Sequence, residues 1–289
     1  MAIRIGCGQI TWRANDDAVL ADIRTAGYEG APWSREQGDT AEAVAATFAR
    51  FELQPAPTYY SGRFWDRDDH DNLVRGASEL AATSAELGVT EIFVADAGFD
   101  AAAPSGRLRR EIVTHVREED ALPAAQFAQM ASTLDAVGSA MLEHGVRPIF
   151  HNHGGTFVET ENEIERLLDA TDPQLLLLGP DTGHLAWAGV DPVAFVQRHA
   201  ARIAGMHLKD VHLAVRDQGR TQGWGYADFE REGIWAELGE GDVGFPAILD
   251  ELKRAGFNGW LIVETDVPER PTPLESAMVG REYLRSLGY

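Results

Sequence analysis

The sequence predicts an α/β protein folded as a single (β/α)8 TIM barrel over residues 1–289. Three observations lead there. Strand-like and helix-like segments alternate along the chain, which implies parallel strands joined by crossover helices. Eight such pairs fit into 289 residues, a length that suits one barrel. No G-x-G-x-x-G follows the first strand, so the main sign of a doubly wound dinucleotide-binding sheet is missing.

The elements follow in order. "AIRIGCG" reads as strand one, and "DDAVLADIRTAGY" as a helix with aspartates at its start and Gly27 at its end. "YEGAPW" is a short second strand and "TAEAVAATFARFEL" an amphipathic helix. "QPAPTYY" is an extended third strand whose prolines suit its beginning better than its middle. "DNLVRGASELAATSAELGV" is helical, and "EIFVADA" is strand four. A polar excursion over residues 98–120 ends in "REED", after which the alternation resumes with the long helix "PAAQFAQMASTLDAVGSAMLEHGV". "RPIFHNH" is strand five, "ENEIERLLDA" a helix, and "QLLLLGPD" a sixth strand that reads as buried on both faces. Asp191 caps the helix "DPVAFVQRHAAR", with Pro192 in its first turn. "IAGMHLKDV" is strand seven. A loop excursion over 210–243, rich in Gly, Trp and charge, precedes the helix "FPAILDELKRAGF", strand eight "GWLIVETD" and the closing helix "LESAMVGREYLRSLG".

Composition narrows the function. With 44% apolar residues and 25% charged, the chain is an ordinary globular protein that needs no disulfide. Its single cysteine, Cys7, rules out a cysteine-based zinc site and reads as a small buried hydrophobe. A formal charge of −21 repels phosphate backbones and anionic lipid, so neither nucleic acid nor membrane is an expected partner. "MAIRIGCGQITW" shows no targeting segment, and a cytoplasmic protein is expected. A homo-oligomer is the default assembly.

In a barrel of this kind the active site lies where the strands end. Strand five ends in His151, Asn152 and His153, strand six in Asp181 with His184 three residues on. Strand seven carries His207 and Lys209 on one face, and strand eight ends near Glu264. Each alone has an ordinary explanation as a rim or turn residue. Together, unpaired, they would be costly to bury, whereas a divalent cation makes the cluster sensible. Carboxylates with an imidazole suit Mn²⁺ or Co²⁺, with Zn²⁺ or Mg²⁺ as alternatives. Glu159 follows the strand-five loop and either faces a helix start or reaches the rim. Aromatic residues after strands one and three, Trp12, Tyr60 and Trp65 with Tyr59 and Phe64, either pack loops or wall a small polyol.

"HNHGGTFVETENEIERLL", "DTGHLAWAGVDP", "RIAGMHLKDV", "GEGDVGFPAILDELKRAGFNGWLIVETD" and "PLESAMVGREYLRSLG" resemble the sugar-phosphate isomerase/epimerase superfamily with its xylose isomerase-like barrel. Within it the chain is similar to the inosose dehydratase branch. The resemblance implies a divalent metal, usually Mn²⁺ or Co²⁺, and Asp181, His207 and Glu264 match three of its ligands. Relatives carry a glutamate on strand five where this chain has "HNH". Glu159 is then the first candidate for the fourth ligand and His153 the second. His184 matches a position that contacts substrate. A glutamate common near the end of strand two is replaced here by Pro32 and Trp33.

The expected activity is a metal-dependent dehydration of a polyol ketone, with 2-keto-myo-inositol (inosose) as substrate. A base among His153, His184 and Glu264 takes the α-proton, and Lys209 or a histidine protonates the departing hydroxyl. His151, Trp12, Tyr60 and Trp65 are the expected substrate contacts. An isomerase or epimerase is the runner-up, disfavoured because strand five offers imidazole and amide where two opposed carboxylates are wanted. A sugar-binding barrel without catalysis is the remote alternative.

Overall fold

Parallel pairing runs round the circle in the computed structural model, which describes residues 3–289. Strand one, Arg4–Cys7, lies between strand eight, Trp260–Val263, and strand two, Gly30–Pro32. The expected first strand begins at residue 2, outside the described residues. Strand eight pairs with strand seven, Gly205–Leu208, in register Trp260↔Gly205 to Val263↔Leu208. Strand four, Glu91–Asp96, pairs with strand five, Arg147–Phe150, which pairs with strand six, Leu177–Leu178. The bridges Leu178↔Ile203 and Asp181↔His207 join six to seven.

The seam on the other side is the third strand. It was expected as one extended piece and is two, Gln54–Ala56 beside strand two and Tyr59–Gly62 beside strand four. Pro57 has no N–H to offer a ladder, so the chain changes partner at that point. Strand six is also shorter than expected. The N–H groups of Leu175 and Leu176 turn back to the Asp172 carbonyl, and Leu175 and Leu177 are only half-buried. A run of leucines measures apolar area, not extended backbone.

The helices lie where the apolar spacing puts them, and their ends are chemically marked. The Asp16 carboxylate accepts from Ala18 and Val19 to start Asp17–Ala26, which stops at Gly27 with φ 91°. Thr160 caps Glu161–Ala170, Asp191 caps Pro192–His199, and Thr272 caps Pro273–Ser286. Two expectations for irregular chain are corrected. The 210–243 excursion holds helices Leu213–Gln222 and Tyr226–Arg231 and an antiparallel pair, Asp210–Val211 with Trp235–Ala236. Its first helix is too polar to show an apolar stripe, which hid it. His184, expected in a turn, sits on a short helix, Thr182–Trp187.

Inside the barrel, Ala56, Phe93, Ile149, Trp260 and Ile262 fill the lower interior, and the polar strand ends sit above this plug. Cys7 is buried on strand one, where burial and then the Glu264 charge push its thiol up. Native protein treated with iodoacetamide at pH 8 is therefore expected to remain unlabelled, with one label appearing on unfolding. Rapid native labelling would contradict this burial. No helix among the described residues is long and apolar enough to cross a membrane.

Candidate active site

Four adjacent strand ends deliver their side chains to one place. Asp181, His207 and Glu264 each bring a potential ligand atom within 4.8 Å of the others. His207 Nδ1 lies 3.1 Å from Glu264 Oε2 and 3.9 Å from Asp181 Oδ2. The parallel bridge Asp181↔His207 sets the second of these distances in the backbone itself. Gly8 clears the space for Glu264, since a Cβ there would stand 2.3 Å from its Oε1.

Asp181 divides its work. Its Oδ1 accepts from the His184 N–H at 2.9 Å, capping the short helix, while Oδ2 turns towards His207 and Lys209. The Asp181 N–H donates to Asn152 Oδ1 at 3.0 Å, so the middle residue of "HNH" aligns strand six. Lys209 is buried among three carboxylates, with Nζ 3.4 Å from Asp181, 3.4 Å from Glu264 and 2.8 Å from Asp266. Burial alone would lower the Lys209 pKa, but Asp181, Asp266 and Glu264 raise it well above its ordinary value. Burial opposes the Glu264 charge, yet His207 and Lys209 hold that carboxyl down to about 2. Burial pushes the Asp181 carboxyl up, against the pull of Lys209 and His207.

The two remaining histidines face each other with ring centroids 3.9 Å apart, and their hydrogen bonds assign them opposite roles. His153 Nδ1 lies 2.8 Å from the Gly154 carbonyl, which only accepts, so Nδ1 carries the proton and Nε2 keeps a lone pair. His184 Nδ1 accepts from the Gly154 N–H at 3.1 Å, so its Nε2 carries the proton. His184 thereby presents a donor at Nε2. Burial and then the Lys209 charge lower His153 to about 4, and burial with His153 lowers His184.

Does the site fit a metal? Asp181 Oδ2, His207 Nε2 and His151 Nδ1 are buried without a hydrogen-bond partner among the described residues. Two carboxylates, an imidazole and unpartnered buried polar atoms are the donor chemistry of a divalent cation. Asp181, His207 and Glu264 fit as ligands, and His151 stands beside them with its ring 4.6 Å from that of His207. His184 also lies within 4.8 Å of Asp181 and His151, but the proton on Nε2 removes it as a ligand.

Glu159 is not brought to this cluster. Its carboxylate accepts from the N–H groups of Thr114 and Gly155, both at 2.8 Å, and lies 3.9 Å from the buried Arg109. Burial raises it to about 7 against the Arg109 charge. It ties the 98–120 excursion to the strand-five loop, so the expected fourth ligand is a strut. Asp96 does the same from strand four, accepting from Gly98, Phe157 and Val158.

Three expected aromatic contacts also lie elsewhere. Trp12 Nε1 donates to Asp22, the Tyr60 hydroxyl donates to the Leu73 carbonyl, and Trp65 packs edge-on against Phe157. Strand alternation explains Tyr60: it faces the helix His70–Glu86, while Tyr59 faces the cavity. A cavity of about 610 Å³ over the cluster is walled by Trp33, Tyr59 and Phe93 and reached by His151, His153 and Lys209. Tyr59 was among the aromatic residues expected to pack loops or wall a polyol, whereas Trp33, just past the end of strand two, was missed as a wall residue.

Comparison with known proteins adds to this geometry. A family model described as a xylose isomerase-like TIM barrel matches residues 20–287. The rhizopine catabolism protein MocC of Rhizobium meliloti is 32% identical, over 98% of this chain and 88% of the relative. The inosose dehydratase of Geobacillus kaustophilus is 27% identical, over 98% of this chain and 94% of its own. Among solved structures, the IOLI protein with a bound zinc atom superposes with a TM-score of 0.69 at 15% identity, covering 99% of this chain and 98% of that one.

Proposed function

Since the chain belongs to the xylose isomerase-like TIM barrel family, we propose that this sugar-processing enzyme is a divalent-metal-dependent dehydratase of a cyclic polyol ketone, with 2-keto-myo-inositol (inosose) as its substrate. The inosose dehydratases among its relatives favour this substrate. The observation that carries the reading is the opposed pair of histidine tautomers set by the Gly154 N–H and the Gly154 carbonyl.

Asp181, His207 and Glu264 hold the metal, with His151 beside them for a further position. When bound, the metal supplies Lewis-acid polarisation of the ketone, acidifying the neighbouring C–H. His153 Nε2 takes that α-proton. Because its site disfavours the imidazolium, His153 readily gives the proton up again, to the departing β-hydroxyl. One C–H and one C–O bond break, a C=C bond forms, and water leaves. The Lys209 ammonium faces negative charge developing on the substrate oxygens, and the His184 Nε2–H adds a donor behind it. Trp33, Tyr59 and Phe93 keep bulk water from this exchange.

The isomerase or epimerase reading wants carboxylates on opposite sides of one carbon. Glu159 would have been the second, and it is bound to Thr114 and Gly155. Proton NMR of inosose in D₂O tests the choice, with protein stripped by chelator and reloaded with Mn²⁺ or Co²⁺, and the metal removed before acquisition. Formation of a dehydrated dione only after reloading is expected. Deuterium entering the α-position without loss of water would move the protein to the isomerase class. No change with any metal would overturn the substrate.

A further inference from the structure

The opening above the cluster is larger than one polyol ring requires. A second lobe of about 550 Å³ continues from the first and shares Ile10, Arg13, Tyr59, His153 and Asp266 with it. Either volume alone lies within the range of roughly 300–1,000 Å³ that encloses a whole small-molecule ligand. None of the groups that hold the metal or move the proton occupies the far end of this lobe, so the mechanism leaves it unexplained.

Its walls have a definite chemistry. Phe99 and Tyr226 meet edge to face, with ring centroids 4.8 Å apart, and both line the lobe. Tyr226 is held in place from behind by Trp187 at 4.6 Å. Three lining carboxylates are already engaged: Asp96 by three backbone N–H groups, Asp100 by Arg110 and Asp266 by Lys209. The Ser61 hydroxyl, the Tyr226 hydroxyl and the Arg13 guanidinium line the lobe with no hydrogen-bond or ion-pair partner among the described residues, and the Glu230 carboxylate lines it beside Trp235. Aromatic walls with spare donors and acceptors fit a hydroxyl-rich ring. The charge fits no phosphate: Asp96, Asp100, Glu230 and Asp266 surround the lobe, with Arg13 as the single cation among its lining residues.

We infer that this lobe is a second sugar subsite, which takes a neutral glycosyl ring attached to the polyol that sits over the metal-holding residues. The inference rests on the polyol reading above and enlarges its substrate class from a free cyclic ketone to a glycosylated one. The polyol keeps its place beside His153, and the attached ring lies between Phe99, Tyr226 and Ser61.

Isothermal titration of the metal-loaded protein tests it, with myo-inositol and its galactosyl derivative galactinol as unreactive probes. Stacking and a few hydrogen bonds predict that galactinol binds about tenfold tighter. Ser61→Trp fills the lobe from an exposed strand position, and Phe99→Ala removes a wall. Both are expected to bring the ratio of the two affinities to about one. Equal affinities in the unaltered protein would overturn the second subsite and leave the polyol reading in place. So would a galactinol preference that survives Ser61→Trp. Binding of neither probe would overturn the polyol reading, and this inference with it.

Discussion

Replacing His153 by glutamine lowers kcat about 10²- to 10⁴-fold while the protein keeps its metal. Glutamine can still donate to the Gly154 carbonyl, as His153 Nδ1 does at 2.8 Å, so the loop stays tied. What disappears is the Nε2 lone pair, and no other group in the cavity replaces it. His184 is held as a donor by the Gly154 N–H, and Glu264 is committed to His207 and Lys209. The measurement is steady-state turnover alongside metal content by elemental analysis. Near-full activity in this variant would remove His153 from the chemistry. The unaltered enzyme carries a matching pH signature. With His153 held at about 4 by burial and the Lys209 charge, below the ordinary imidazole value of about 6.5, its base form persists as the solution turns acid. The acid limb of kcat/KM is therefore expected near pH 4. The sign for stability runs the other way. The unfolded chain takes up this proton at higher pH than the folded one, so His153 subtracts stability as pH falls from about 6.5 towards 4.

Lys209 produces the second large effect. The chain has two lysines, Lys209 and Lys253, and otherwise uses arginine for its positive charges. Arginine would not substitute here. The Lys209 stem passes so close to Gly183 that a Cβ there would stand 2.9 Å from Lys209 Cβ, and its ammonium lies 4.9 Å from the Trp235 ring. A compact point charge fits between Asp181, Glu264 and Asp266, whereas a planar fork does not. Lys209→Met leaves three carboxylates crowded without their shared cation. A loss of about 3–5 kcal/mol is expected in chelator, smaller when Mn²⁺ is present. Lys209→Arg is expected to stay inactive despite conserving charge. Urea unfolding with and without chelator, beside turnover, checks both. Equal stability of Lys209→Met and the parent in chelator would show that the three carboxylates do not depend on this ammonium.

The barrel was legible because its signals are local: alternating apolar periods, capping aspartates and glycines past helix ends. Asp181, His207 and Glu264 were legible because strand ends in a barrel converge whatever the intervening chain does. Elsewhere the reading depended on information that one dimension does not hold. Tyr60 and Tyr59 differ by one step of strand alternation, and the sequence alone did not choose which faced inward. Glu159 follows the right strand, but the Thr114 and Gly155 N–H groups and Arg109, fifty residues earlier, hold it away from Asp181, His207 and Glu264. Tyr226 was legible only as one of several aromatics in the 210–243 excursion, packed over the barrel mouth or against another subunit, and Glu230 escaped notice because their helix belongs to a segment whose polar composition looks like loop. The tautomers of His153 and His184 depend on which way the Gly154 N–H and the Gly154 carbonyl point, which no residue pattern records.

The excursion that carries Tyr226 and Glu230 has a consequence for descent. It leaves the barrel after strand seven and returns before strand eight, and it supplies none of the convergent carboxylates and imidazoles, only rings that pack against them. Inheritance can therefore act on the two halves of the site separately. A lineage can vary the outward positions of this one segment and meet new substrates while the carboxylates and histidines of the barrel are passed on.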